Sequence, residues 1–208
     1  MMLIAPFPYF GGKRTVADMA WTRFGRPKHY IEPFCGSAAI LLAAPAPASL
    51  EVANDYNGFI ANFWRATKYQ PAEVARWADY PVSHIDIGAA HQWLMAQRER
   101  IGTELLDIEW PGDAKAAGRW LHGQCCWIGS GWCKWEGKPP ATAVKGDGIQ
   151  AGCQIPHISN AGRGIQAIGQ IPHISGAGML TSGGRTAWVW LHKLSARLER
   201  VRLVHGDW

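Results

Sequence analysis

Residues Tyr30-Ile31-Glu32-Pro33-Phe34-Cys35-Gly36-Ser37-Ala38-Ala39-Ile40, followed by Glu51-Val52-Ala53-Asn54-Asp55, constrain this chain more than any other stretch. A short apolar run enters a glycine turn, a helical pattern follows, and an acidic residue closes a second apolar run nineteen positions after Gly36. That is the spacing of a βαβ unit that binds a nucleoside. The turn would bring backbone N–H groups and a helix N-terminus to the ligand, and the Asp55 carboxylate can accept both hydroxyls of a ribose. The spacing therefore predicts a ribose-bearing cofactor. A second reading of Asp55, as an N-cap for the helix expected after it, stands beside this one.

A nicotinamide site would carry G-x-G-x-x-G, but from Gly36 the chain reads Gly-Ser-Ala-Ala-Ile-Leu, and no pyrophosphate cradle is spelled out. The Glu-Pro-Phe-Cys-Gly string instead resembles the motif of S-adenosylmethionine-dependent methyltransferases. Together with Pro8-Tyr9-Phe10-Gly11-Gly12-Lys13-Arg14 it resembles the Dam-like (D12 class) DNA adenine-N6 methyltransferases. Four stretches carry the likeness, 8–14, 30–43, 50–66 and 201–208, in the order and spacing of that family. One position departs from it: the family's second glycine is Ala38, a residue that disfavours positive φ, so a slightly altered turn is expected there.

The resemblance implies S-adenosylmethionine as cofactor. Tyr9 and Lys13 would lie near its methionine portion, Tyr9 as an aromatic wall and Lys13 as a positive charge. Glu32 would meet the ammonium, Phe34, Cys35, Gly36 and Ser37 would form the wall and backbone of the turn, and Asp55 would hold the ribose. Asp207 and Trp208 stand where the family receives the adenine ring. For each there is a plainer role: surface lysine, half-buried tyrosine, loop cap, or ordinary Gly-Asp turn chemistry near a frayed end.

No catalytic residue is assigned. Adenine amino-methyltransferases need an Asp/Asn-Pro-Pro-Tyr/Phe loop, in which the acid and a proline carbonyl accept from the target amine while the aromatic stacks on the flipped base. The nearest strings, Asp79-Tyr80-Pro81-Val82 and Lys138-Pro139-Pro140-Ala141, do not have that order. In the family the loop lies shortly beyond the segment ending here at Trp208. The expectation is a fragment cut before the active-site strand, inactive alone and completed by a C-terminal polypeptide.

The net charge of +5 and pI near 9.1 favour a polyanionic partner. Five cysteines form no C-x-x-C pair and leave one unmatched, which argues against a disulfide framework and a zinc site and points to reduced thiols in the cytoplasm. The longest apolar run, Ala38 to Ala44, is too short to span a bilayer.

The expected fold class is α/β: an incomplete Rossmann-like methyltransferase core with an inserted, largely helical target-recognition region. Residues 1–69 form the cofactor-binding part, with helices over 14–24, 37–44 and 57–69 and parallel strands over 29–34 and 49–54. The 14–24 helix would present Val16, Met19, Ala20 and Phe24. Residues 70–185 form the recognition region, with helices around 72–77 and 89–100, then a Trp- and Gly-rich part. Within it, 148–162 recurs as 164–178 with twelve of fifteen positions identical, two copies being too few for a solenoid. Residues 186–208 return to the core through a helix bearing Trp188, Leu191, Leu194 and Leu198 and a strand over 201–205.

The partner implied is double-stranded DNA with a flipped adenine. Arg163 and Arg185 in Gly-rich loops, and Lys134 and Lys138 among Trp120, Trp127, Trp132 and Trp135, are the candidate DNA contacts. Solvated surface charges for Arg163 and Arg185, and a small core of tryptophans at helical spacing for Trp120 and Trp127, remain open readings. His157 and His173 of the repeat have no acidic or thiol partner at ligand spacing and read as packing residues. The rival from another class is a non-catalytic DNA-binding protein derived from such an enzyme. A nucleotide-dependent oxidoreductase is disfavoured by the missing glycines.

Overall fold

The structure, a computed structural model, describes residues 3–7, 9, 12–80, 82–127, 132–135 and 187–208. The repeat at 148–178, with His157 and His173, lies outside them, as do Lys138, Arg163 and Arg185. Three strands, β1 (His29–Glu32), β2 (Leu50–Asp55) and β3 (Val201–His205), form an all-parallel sheet in the order β1-β2-β3. A 3₁₀ turn (Lys13–Val16) and α1 (Ala17–Phe24) precede the sheet, and α2 (Ala39–Leu42) connects β1 to β2. Between β2 and β3 lie α3 (Gly58–Tyr69), α4 (Pro71–Ala78), α5 (His84–Glu104), α6 (Ala114–Cys126) and α7 (Ala187–Leu198).

The expected strands are present, and the helices differ in instructive ways. In α1 the buried face is Ala17 and Trp21, whereas Val16, Met19 and Phe24 are exposed. The indole decides: its Nε1 donates to Ile40 O at 2.7 Å and its ring packs 5.0 Å from that of Tyr30, so the largest apolar group takes the inner position. The helix expected over 37–44 shrinks to the single turn of α2, because Gly36 and Ala38 both stand at positive φ, +49° and +52°, and a right-handed helix cannot pass through them. In α7 the inner indole is Trp190, and Trp188 is exposed. Helix α6 was not expected at all.

α3 is the central post. Asn57 caps it, its Oδ1 accepting from the N–H groups of Phe59 and Ile60, and every residue from Gly58 to Thr67 is buried. Phe59, Ile60, Phe63 and Trp64 are each at most 1 % exposed, and burial of such side chains contributes roughly 1.5–3 kcal/mol apiece. α4, α5 and α6 pack around this post, and their buried residues join those of α1, α2, α3 and α7 in one continuous core. The described part of 70–127 thus shares its interior with the sheet-bearing part.

The registers pair Tyr30 with Glu51 and Glu51 with Val201, so these three share one face of the sheet. That face meets the helices, through Trp21 of α1 against Tyr30 and Arg197 of α7 against Glu51. On the other face His29 and Arg202 are exposed and Ile31 is 46 % exposed. Strand order that advances one way, with right-handed crossovers, puts its helices on one side.

Candidate nucleoside-binding site

The carboxyl ends of the three strands lie together, and the sequence motifs sit on the loops that leave them. After β1 the chain turns through Pro33 to Ala38. Cys35 N–H donates to Asn54 O at 2.8 Å, and the Asn54 side chain donates to Pro33 O at 2.9 Å and Gly206 O at 3.0 Å. One buried amide thus ties the loops after β1 and β3 to the end of β2.

Asp55 closes the arrangement. Oδ2 accepts from Gly36 N–H at 2.7 Å and weakly from the Cys35 thiol at 3.9 Å, and Oδ1 accepts from Asn57 N–H at 2.9 Å, which leaves a lone pair on Oδ1. The helix cap is Asn57, two residues on, so Asp55 is a clasp between the β1 loop and the end of β2 instead. Burial raises its pKa, against the opposing pull of the two backbone N–H groups. Trp64 Nε1–H donates to Gly36 O at 2.8 Å, so both backbone groups of this glycine are fixed. The sequence had shown Trp64 only as an apolar residue of a helix.

Tyr9, Lys13, Phe34, Cys35, Gly36 and Ser37 are brought together as the walls of one cleft, with Gly12 and Ala39. Asp55 lies behind Gly36 and is 8 % exposed. The Tyr9 ring lies on Gly36: a Cβ there would sit 2.7 Å from Tyr9 Cδ1. Burial, with Asp55 and Cys35 nearby, pushes the Tyr9 phenol up to about 12, so it is neutral at physiological pH. Burial raises the Cys35 thiol as well, which keeps it protonated and unreactive.

Residues 9–81 match the family model of D12 class N6 adenine-specific DNA methyltransferases. The matched segment runs from Tyr9 through the β1 turn and Asp55 to just past α4. A search of curated proteins finds no match.

Within the D12 segment Lys13 and Glu32 are engaged with each other. Lys13 Nζ donates to Glu32 Oε1 at 2.9 Å and to Phe34 O at 2.7 Å. Glu32, 3 % exposed, also accepts from Tyr30 OH at 3.0 Å and Leu41 N–H at 3.3 Å through Oε2. The pair therefore braces the turn, with the ammonium drawn toward the cleft wall. Phe34 is 62 % exposed at the rim.

Asp207 and Trp208 lie outside the D12 segment, at the end of β3. Both are exposed, and Asp207 Oδ1 accepts only from the N–H of Trp208 among the described residues. Their place beside the β2 end follows from the Asn54 to Gly206 bond. Lys134 is exposed. The tryptophans near it pack inward: Trp120 is 2 % and Trp132 8 % exposed, and Trp135 stacks edge-on against Phe59 at 5.2 Å. The core reading that the sequence left open for Trp120 and Trp127 holds for Trp120, and Trp127 packs half-buried against the same core; Trp132 and Trp135, read there as stacking groups for DNA, pack inward as well.

Proposed function

We propose that the loops at the carboxyl ends of β1, β2 and β3 bind S-adenosylmethionine, and that the chain serves methyl transfer to adenine N6 in DNA. The observation that carries this reading is the Asp55 clasp. A carboxylate bonded to the N–H of a positive-φ glycine, with a lone pair left on Oδ1 and only a weak thiol bond as the second contact on Oδ2, suits a ribose diol bound against the turn. Asp55 would hold the diol, Lys13 the donor's carboxylate, and Asp207 and Trp208 the adenine. The bound donor would supply a sulfonium methyl group, transferred in line to the amine nitrogen of a base flipped from the duplex. Tyr9 must leave Gly36 for the sugar to reach Asp55.

No Asp/Asn-Pro-Pro-Tyr/Phe string occurs in the 208 residues. Acceptor activation is therefore assigned to a separate polypeptide segment bearing that loop, and residues 70–127 with 187–200 to support of the donor site and of DNA recognition. Calorimetric titration with S-adenosylmethionine tests the reading. The native chain is expected to bind and Asp55→Ala to bind at least about ten-fold more weakly, as loss of charged hydrogen bonds implies. No affinity in the native chain, or equal affinity in both, would overturn it. The chain alone is expected to show no methyl transfer to DNA.

A further inference from the structure

A second cleft lies away from the donor turn, between α4, α5 and α6, and the two share no lining residue. It holds about 530 Å³ of space, part of it open to solvent, and is lined by Trp77 of α4, Tyr80 just after it, Asp86 and Ile87 of α5, and Arg119 and His122 of α6. Its rings are aligned. Trp77 and Tyr80 are parallel to within 7° at 6.5 Å, and His122 continues the row, 29° from Tyr80 at 6.5 Å. Tyr80, the middle ring, is 39 % exposed, so part of its surface is open to another flat group.

Two observations point to a ligand with polar edges and a negative charge. His122 is 6 % exposed, yet its Nε2 has no hydrogen-bond partner among the described residues. A buried polar atom left unpaired keeps its desolvation cost, and a ligand that bonds it recovers this. Beside the rings, Arg119 and Lys115 stand one turn apart on α6, and each lies over both Trp77 and Trp93, at 4.8–5.5 Å from the ring centroids. Neither is in an ion pair among the described residues, whereas Arg76 over the same Trp77 is paired with Glu73. Held by ring faces, the two cations need little ordering to meet a phosphate.

We propose that this cleft binds one unpaired nucleotide unit whose base carries an exocyclic amine. The base stacks on Tyr80, its ring edge bonds His122 Nε2, its amine donates to the Asp86 carboxylate, and Arg119 with Lys115 takes the phosphate. The unit can come from a DNA strand or from a free nucleotide.

Calorimetry with deoxycytidine monophosphate on the full chain, and anisotropy with a labelled duplex holding one unpaired cytosine, test this. Cytosine carries the amine but is not the acceptor in the proposed methyl transfer, so the result does not depend on the donor-site reading. The monophosphate should bind, thymidine monophosphate more weakly, and Tyr80→Ala should weaken binding on the order of ten-fold, the scale of one lost stacking contact. Arg119→Gln should remove the advantage of the monophosphate over deoxycytidine. A preference of about ten-fold for the unpaired over the fully paired duplex, lost in Tyr80→Ala, assigns the unit to DNA; monophosphate binding without that preference assigns it to a free nucleotide. Both variants alter partly exposed side chains, and circular dichroism checks their fold. The proposal is overturned if neither probe binds, or if both variants bind as the native chain does. Equal binding of the two monophosphates would overturn the choice of base.

Discussion

Ala38 is 1 % exposed and holds φ 52°, ψ 31°, a left-handed conformation that an L-residue with a Cβ adopts at roughly 1–2 kcal/mol. The sequence predicted that alanine would bend the turn away from this geometry. The surroundings overrule it, since Ala38 N–H donates to Cys35 O at 2.7 Å and its carbonyl accepts from Leu42 N–H. Ala38→Gly should therefore keep the turn and raise stability by up to about 1 kcal/mol, the relieved strain exceeding the added backbone entropy; urea denaturation measures it. Gly36→Ala should do the reverse, losing about 1–2 kcal/mol to positive φ. Adding Tyr9→Ala should recover only the part due to the clash with that ring. At this scale the sequence showed which residues meet, Gly36 with Asp55 above all, because a βαβ unit fixes where its loops lie. It did not show which partner each residue takes. Glu32 and Lys13 satisfy one another, a pairing nineteen positions apart that no local pattern encodes.

Among the elements, α7 is locked to the sheet by charge. Arg197 donates to both oxygens of Glu51 on β2, at 2.7 and 2.8 Å, and to Leu41 O on α2 at 3.0 Å. The Glu51 side chain is fully buried, so Arg197→Ala would strand a carboxylate inside the protein and should cost about 3–5 kcal/mol in chemical denaturation. Helix α6 shows why an element can hide in a sequence. Its glycines at 118 and 123 read as loop residues, yet a Cβ on Gly118 would stand 2.6 Å from Val74 O, and one on Gly123 would overlap the Trp132 ring. They are points where α4 and Trp132 come close. The signals that could have revealed it were Asp113, whose Oδ1 caps Ala116 N–H at 2.8 Å, and the alanines that follow. Gly118→Ala, favourable by helix propensity alone, should destabilise the protein, because the contact is with backbone that cannot give way.

Over the whole molecule, burial keeps two histidines neutral. Desolvation lowers the pKa of His122 and of His205 below the usual 6.5. The unfolded chain takes up protons at these sites at a pH where the folded chain does not, so stability should fall as pH drops below about 6.5 and be fully present above it. Urea midpoints at pH 5 and pH 7.5 check the slope, which His122→Gln should flatten. No described helix is long and apolar enough to cross a membrane. The parallel pairing of β1 with β2 was legible in the sequence, since the helical stretch between the two apolar runs is long enough to cross back over the sheet. That helices cover only one face of the sheet, among the described residues, was not legible, because both strand faces are apolar enough to be read as buried.

Tyr9 is attached to the chain three residues before Gly12, and its phenyl face already rests on the peptide that any arriving molecule would have to touch. It is a tethered competitor, never diluted and never washed away. Whatever settles on Gly36 binds with its intrinsic strength multiplied by the share of time the ring stands aside, so shortening that side chain should tighten the grip of an incoming guest even as it removes a wall.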